Sequence, residues 1–160
     1  MTAERAAEIH RLLAERGATV AVAESLTGGL LGGALTQTPG ASATFRGGLV
    51  VYATDLKETL AGVPGPLLDA EGAVSAEVAA AMAAGARGRA VATYGVAVTG
   101  VAGPDPQDGR EPGTVFIAVA GPGGGEVQEL SLRGDRAAIR ASAVEAALTM
   151  LRDVLNVDRG

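Results

Sequence analysis

The chain has 160 residues, 48% hydrophobic and 19% charged, enough to bury roughly 70% of the surface its unfolded form exposes and too apolar to stay disordered. Its net charge of -5 gives no global basic footprint for nucleic acid or anionic lipid, so either partner would need a local patch. With no Cys and one His, disulfides, thiolate nucleophiles, Cys-based zinc or iron–sulfur sites and multi-His metal sites are excluded.

Glu4 to Arg16 reads as a first helix, with Ala6, Ile9 and Leu13 on one face, Glu8 and Arg11 opposite, Thr2 available as cap and Gly17 as stop. Such a start is not a basic n-region followed by an apolar run, so no secretory signal is expected and a cytoplasmic location follows by default. His10 borders the apolar face and reads as a surface or packing residue. Thr19 to Ala23 is a short strand, followed at once by Glu24-Ser25-Leu26-Thr27-Gly28-Gly29 and a helix from Leu30 to Thr36. The longest uncharged stretch, 25–45, is broken by glycine pairs and Pro39-Gly40, a poor membrane span.

Arg46 to Thr54 is expected as a second, buried strand, Asp55 to Leu60 as a short helix and Pro64-Gly65-Pro66 as a loop. Ser75 is placed to cap a long Ala-rich helix ending near Arg89. Tyr94 to Val101 and Thr114 to Ala120 read as buried strands, separated by a polar loop over 103–113. A turn at Pro122 to Gly125 leads into Val127 to Leu132, and a last helix runs from Asp135 to about Asn156. Helices alternate with the early strands while short turns join the late ones. The expected fold is α/β, a three-layer α/β/α sandwich with a mixed central sheet, forming one domain over 1–160.

Ser25 stands where a strand ends and a Gly-rich turn opens a helix, a position at which α/β sheets hold ligands; Thr27, Gly28 and Gly29 would let one approach the backbone. Alternatively, Ser25 is a helix cap and the glycines only ease packing. A nucleophilic serine needs a base, and no histidine lies in the motif-bearing segments. Lys57 is the sole lysine beside twelve arginines, and only an amine can lose its proton near neutral pH when desolvated. Tyr52, five residues earlier, is placed either to relay a proton or to sit at the core edge. Thr99 and Gly100 end a strand where backbone donors can converge. Arg136 and Arg140 extend the buried stripe of the last helix at its N-terminus, suited to a phosphate or to salt bridges. Asp105 and Asp108 are read mainly as turn-forming residues, and no metal is expected.

Six ordered blocks carry a resemblance: Ala23-Glu24-Ser25-Leu26-Thr27-Gly28-Gly29; Gly47-Gly48-Leu49-Val50-Val51-Tyr52 with Lys57; Gly72-Ala73-Val74-Ser75; Thr99-Gly100-Val101-Ala102-Gly103-Pro104; Gly113-Thr114-Val115; and Gly134-Asp135-Arg136 with Arg140. Over about residues 3 to 156 the chain resembles the C-terminal domain of the competence-damage-inducible protein CinA, the nicotinamide mononucleotide deamidase family. The resemblance implies a stand-alone amidase without the molybdopterin-binding-like module fused upstream in longer members. It also implies hydrolysis of the carboxamide of nicotinamide mononucleotide to nicotinic acid mononucleotide and ammonia in pyridine nucleotide recycling. The mechanism would be metal-free and cofactor-free, with Ser25 as nucleophile, Lys57 as base and Tyr52 as a supporting hydroxyl. The expected partner is a pyridine nucleotide, with no nucleic acid and no membrane; homo-oligomerisation is left open. The chain departs from the family at Leu26, where Cys is common, and at Ala53-Thr54, where Ser-Asn is common. The alternative is a catalytically weak nucleotide-binding or regulatory module of the same fold.

Overall fold

The computed structural model describes residues 1–158. Five strands, β1 (Val20–Glu24), β2 (Phe45–Val50), β3 (Tyr94–Gly100), β4 (Thr114–Gly121) and β5 (Gly124–Ser131), form one sheet in the order β2-β1-β3-β4-β5. β1 runs parallel to both β2 and β3, whereas β4 and β5 join antiparallel, so the sheet is mixed as the alternation of elements predicts. Among the described residues six α-helices surround it: α1 (Thr2–Glu15), α2 (Leu30–Thr36), α3 (Thr54–Thr59), α4 (Gly65–Glu71), α5 (Ala76–Ala90) and α6 (Arg136–Val157).

The alternation Val20-Ala21-Val22-Ala23 sorts β1 by side-chain size, because successive strand residues point to opposite faces. The valines meet Ile9, Leu13, Leu31 and Leu148 from α1, α2 and α6. The alanines meet Val78, Met82 and Ala86 of α5. That second face is thin. At Gly95 of β3 an added Cβ would lie 2.1 Å from the Ala83 carbonyl, so the close approach of α5 at that point requires glycine.

Two expectations change here. Pro64-Gly65-Pro66 does not form a free loop but opens α4, since a proline in the first helical turn gives up an N–H that has no partner there anyway. Thr2 begins α1 and makes no capping bond. Ser75 does cap α5, accepting from the Val78 amide at 3.2 Å.

Candidate active site

The Ser25 amide still donates to the Val98 carbonyl of β3, at 3.0 Å, so the serine is tied to the sheet while the chain behind it turns. Gly28 and Gly29 make that turn at φ +55° and +104°, a region glycine enters without steric cost. Glu24 holds it. Its carboxylate, on a residue 1% exposed, accepts from the Thr27 hydroxyl (2.6 Å) and from the amides of Gly29 (3.2 Å), Leu31 (2.9 Å) and Gly32 (2.9 Å). The N-terminal end of α2, where the sequence places a ligand anion, is thus filled by the chain's own carboxylate.

The short helix expected over Asp55 to Leu60 forms as α3, but the strand before it is not buried. β2 is instead a half-exposed edge strand, and Lys57 lies on the inner face of α3, 1% exposed. Its Nζ donates to the carbonyls of Val51 (2.9 Å) and Tyr52 (3.3 Å) and to Ser25 Oγ (3.1 Å). Burial lowers its pKa from 10.5 to about 8, against the opposing pull of the Asp108 carboxylate. Among the described residues Lys57 makes no ion pair.

Ser25 opens into a cavity of about 340 Å³ lined by the turn at Ser25 and Leu26, by Tyr52 and Arg136, and by residues 100–107. Arg136 donates to the Gly103 carbonyl (2.6 Å) and to the Tyr52 hydroxyl (3.1 Å), fastening the 103–113 loop to the segment after β2. Among the described residues, the amide N–H groups of Leu26, Ala102 and Gly103, all in cavity-lining residues, donate to no protein acceptor. A more open groove of about 440 Å³ at Arg87, Val91 and Thr93 contains no nucleophile–base pair.

Residues 2–155 match the CinA C-terminal domain family. The chain belongs to that family. It is 58% identical over 144 residues to a CinA-like protein of Frankia casuarinae, covering 90% of this chain and 33% of that one. It is 52% identical over 141 residues to a CinA-like protein of Anaeromyxobacter, covering 88% and 34%. The chain therefore spans about a third of the length of these relatives. Among solved structures, a CinA superfamily protein from Klebsiella pneumoniae superposes with a TM-score of 0.94 at 32% identity, covering 98% of each chain. The competence/damage inducible protein CihA from Agrobacterium tumefaciens gives 0.92 at 39% identity, covering 97% and 95%.

Of the expected site residues, this CinA domain brings Ser25, Tyr52, Gly100 and Arg136 to the cavity, with Lys57 behind the serine. Others turn away. Thr27 and Thr99 are 0% and 1% exposed and commit their hydroxyls to Glu24 and to the Ala73 carbonyl (2.8 Å). Gly28 and Gly29 shape the turn without lining the cavity, and the Arg140 guanidinium packs over Gly28 while its Nε donates to the Leu26 carbonyl. The Tyr52 hydroxyl pairs with Arg136, so its link to Lys57 runs through the backbone carbonyl. His10 is a packing residue, its ring nitrogens 2.5 Å from Thr44 Oγ1 and the Leu35 carbonyl.

Sequence reasoning missed the internal role of Glu24 and the reach of Asp108, whose Oδ2 accepts from the Ala73 amide at 3.2 Å. A signal for the first was present, since an acid just before a glycine turn faces the amides that open the next helix. None existed for the second, because 35 residues separate the partners.

Proposed function

We propose that this CinA domain is a serine-lysine amidase that hydrolyses the carboxamide of nicotinamide mononucleotide, giving nicotinic acid mononucleotide and ammonia. The observation that carries the reading is the contact between Lys57 Nζ and Ser25 Oγ, 3.1 Å, at the edge of a cavity, where burial outweighs the pull of the Asp108 carboxylate on the lysine. As a neutral amine, Lys57 has two N–H donors and one lone pair. The Val51 and Tyr52 carbonyls take the donors, which leaves the lone pair for the serine hydroxyl. A pKa of about 8 keeps a usable fraction neutral at pH 7.

In this reading Ser25 Oγ attacks the carboxamide carbon as its proton passes to Lys57. The tetrahedral oxyanion is received by unpartnered amides; that of Leu26 directly follows the nucleophile, the usual donor position at such turns. Lys57 then protonates the leaving nitrogen, which departs as ammonia and leaves an acyl ester on Ser25. Neutral Lys57 next deprotonates water, which attacks the ester and releases the carboxylate product and free serine. The substrate phosphate is assigned to Arg136, whose guanidinium among the described residues donates to the Gly103 carbonyl and the Tyr52 hydroxyl and to no carboxylate.

Ammonia release from the purified protein tests this directly. Wild-type protein should liberate one ammonia per mononucleotide consumed, and Ser25→Ala should bind the nucleotide and liberate none. Failure of the wild type to release ammonia ends the reading in favour of a nucleotide-binding module.

A further inference from the structure

The wall of the cavity formed by residues 100–107 holds one acid, Asp105, an exposed residue on a restrained stretch of backbone. Pro104 and Pro106 flank it, and each restricts the backbone: Pro104 by its fixed φ, Pro106 by excluding helical geometry at the residue before it. The loop is tied down on both sides of this point. Arg136 grips the Gly103 carbonyl, Gln107 and Arg110 exchange backbone hydrogen bonds, and Asp108 holds the Ala73 amide. Among the described residues the Asp105 carboxylate has neither a hydrogen bond nor an ion pair, although Arg136 lines the same cavity. The cavity thus presents a negative charge carried on an anchored backbone and unpaired within the described residues, apart from the positive charge of Arg136. A ligand with the same separation of charge is its complement.

We infer that Asp105 selects for a positively charged ring on the amide-bearing substrate, a pyridinium in place of a neutral ring, while Arg136 takes the anionic end. The inference rests on the amidase reading for the choice of ring. Tyr52 adds to the selection, because its ring is largely exposed and lines the same space, and an aromatic face attracts a cation. Asp105 acts through its charge across a solvent-accessible space, so its effect is modest, roughly three- to tenfold in affinity, and weakens with salt.

The test compares two ligands that differ in ring charge: nicotinamide mononucleotide and its reduced dihydropyridine form, which keeps the amide, ribose and phosphate but has a neutral ring. Calorimetric titration of both into Ser25→Ala and into Ser25→Ala with Asp105→Asn, at low and high salt, removes turnover from the measurement. We expect Asp105→Asn to weaken the oxidised form three- to tenfold at low salt and the reduced form less than twofold, the difference shrinking at high salt. Equal losses for both ligands would mean a contact to the ribose or a structural role. Equal losses, no loss for either ligand, or no binding of either each overturn the inference. Ammonia release by the wild type is measured in parallel. If release is absent while ring-charge discrimination persists, hydrolysis is abandoned and Asp105 remains the selector of a binding site.

Discussion

Arg140 Nε donates to the Leu26 carbonyl at 2.9 Å across 114 residues of sequence, which makes this arginine a brace for the Ser25 turn. Arg136, one helical turn earlier, faces the cavity instead. The two should separate kinetically. Arg136→Ala should weaken nicotinamide mononucleotide by about 1.5–3 kcal/mol more than nicotinamide riboside, which lacks phosphate and should register only the lost hold on the Gly103 loop. Arg140→Ala should lower kcat for both compounds alike. Steady-state kinetics with the two substrates decides the matter, and a phosphate-specific loss in the Arg140 variant would reverse the assignment.

Lys57 sets the pH dependence of the proposed reaction. With a pKa of about 8, kcat/KM should climb as pH rises through 8 and level off above it, because only the unprotonated amine accepts the serine proton. Lys57→Arg keeps the charge but cannot serve as base, so its activity should fall as far as that of Lys57→Ala. A pH–rate profile and the two variants check this, and substantial activity in Lys57→Arg would reduce the lysine to an electrostatic anchor.

The same burial carries a stability cost. A lysine whose pKa falls from 10.5 unfolded to about 8 folded disfavours the native state fully below pH 8, and the penalty fades between pH 8 and 10.5, where the unfolded chain binds the extra proton. That interval corresponds to about 3 kcal/mol. Denaturant melts at pH 7.5 and 10 should show the wild type gaining stability relative to Lys57→Met as pH rises. A constant difference would show that the amine is not desolvated.

Glu24→Gln retains the shape of the side chain but turns an NH2 toward a cluster of donors. We expect a loss of about 1–3 kcal/mol in stability, together with a fall in kcat at nearly unchanged KM, because the turn that aims Ser25 loosens while the cavity wall stays in place. Chemical denaturation and kinetics at a temperature where the variant remains folded separate the two effects.

The sequence carried much of this architecture because local signals decide it. Val-Ala alternation followed by Gly28-Gly29 marks a strand and a turn, and Ser75 before an alanine run marks a capped helix. What escaped was set by distance or by side-chain direction. Thr27 and Thr99 stand at the right places in the chain, but their hydroxyls satisfy buried neighbours, and no motif reports which way a threonine points. Arg136 and Arg140 share one helix stripe, yet one turn of rise is enough to put the first at the cavity and the second over Gly28. Lys57 was identifiable by its rarity and by the Val50-Val51-Tyr52 run before it; its burial depends on α3 folding back against the Ser25 turn.

Rarity also gives the site a reporter. Because Lys57 is the chain's sole lysine, protein grown on lysine labelled with nitrogen-15 at Nζ carries a single labelled side-chain amine, and that amine touches the candidate nucleophile. One resonance would follow the proton on Lys57 as pH changes and as nucleotide enters. An amine-acylating reagent has one lysine to find, 1% exposed, and its rate of reaction becomes a clock for how often the wall around Ser25 opens.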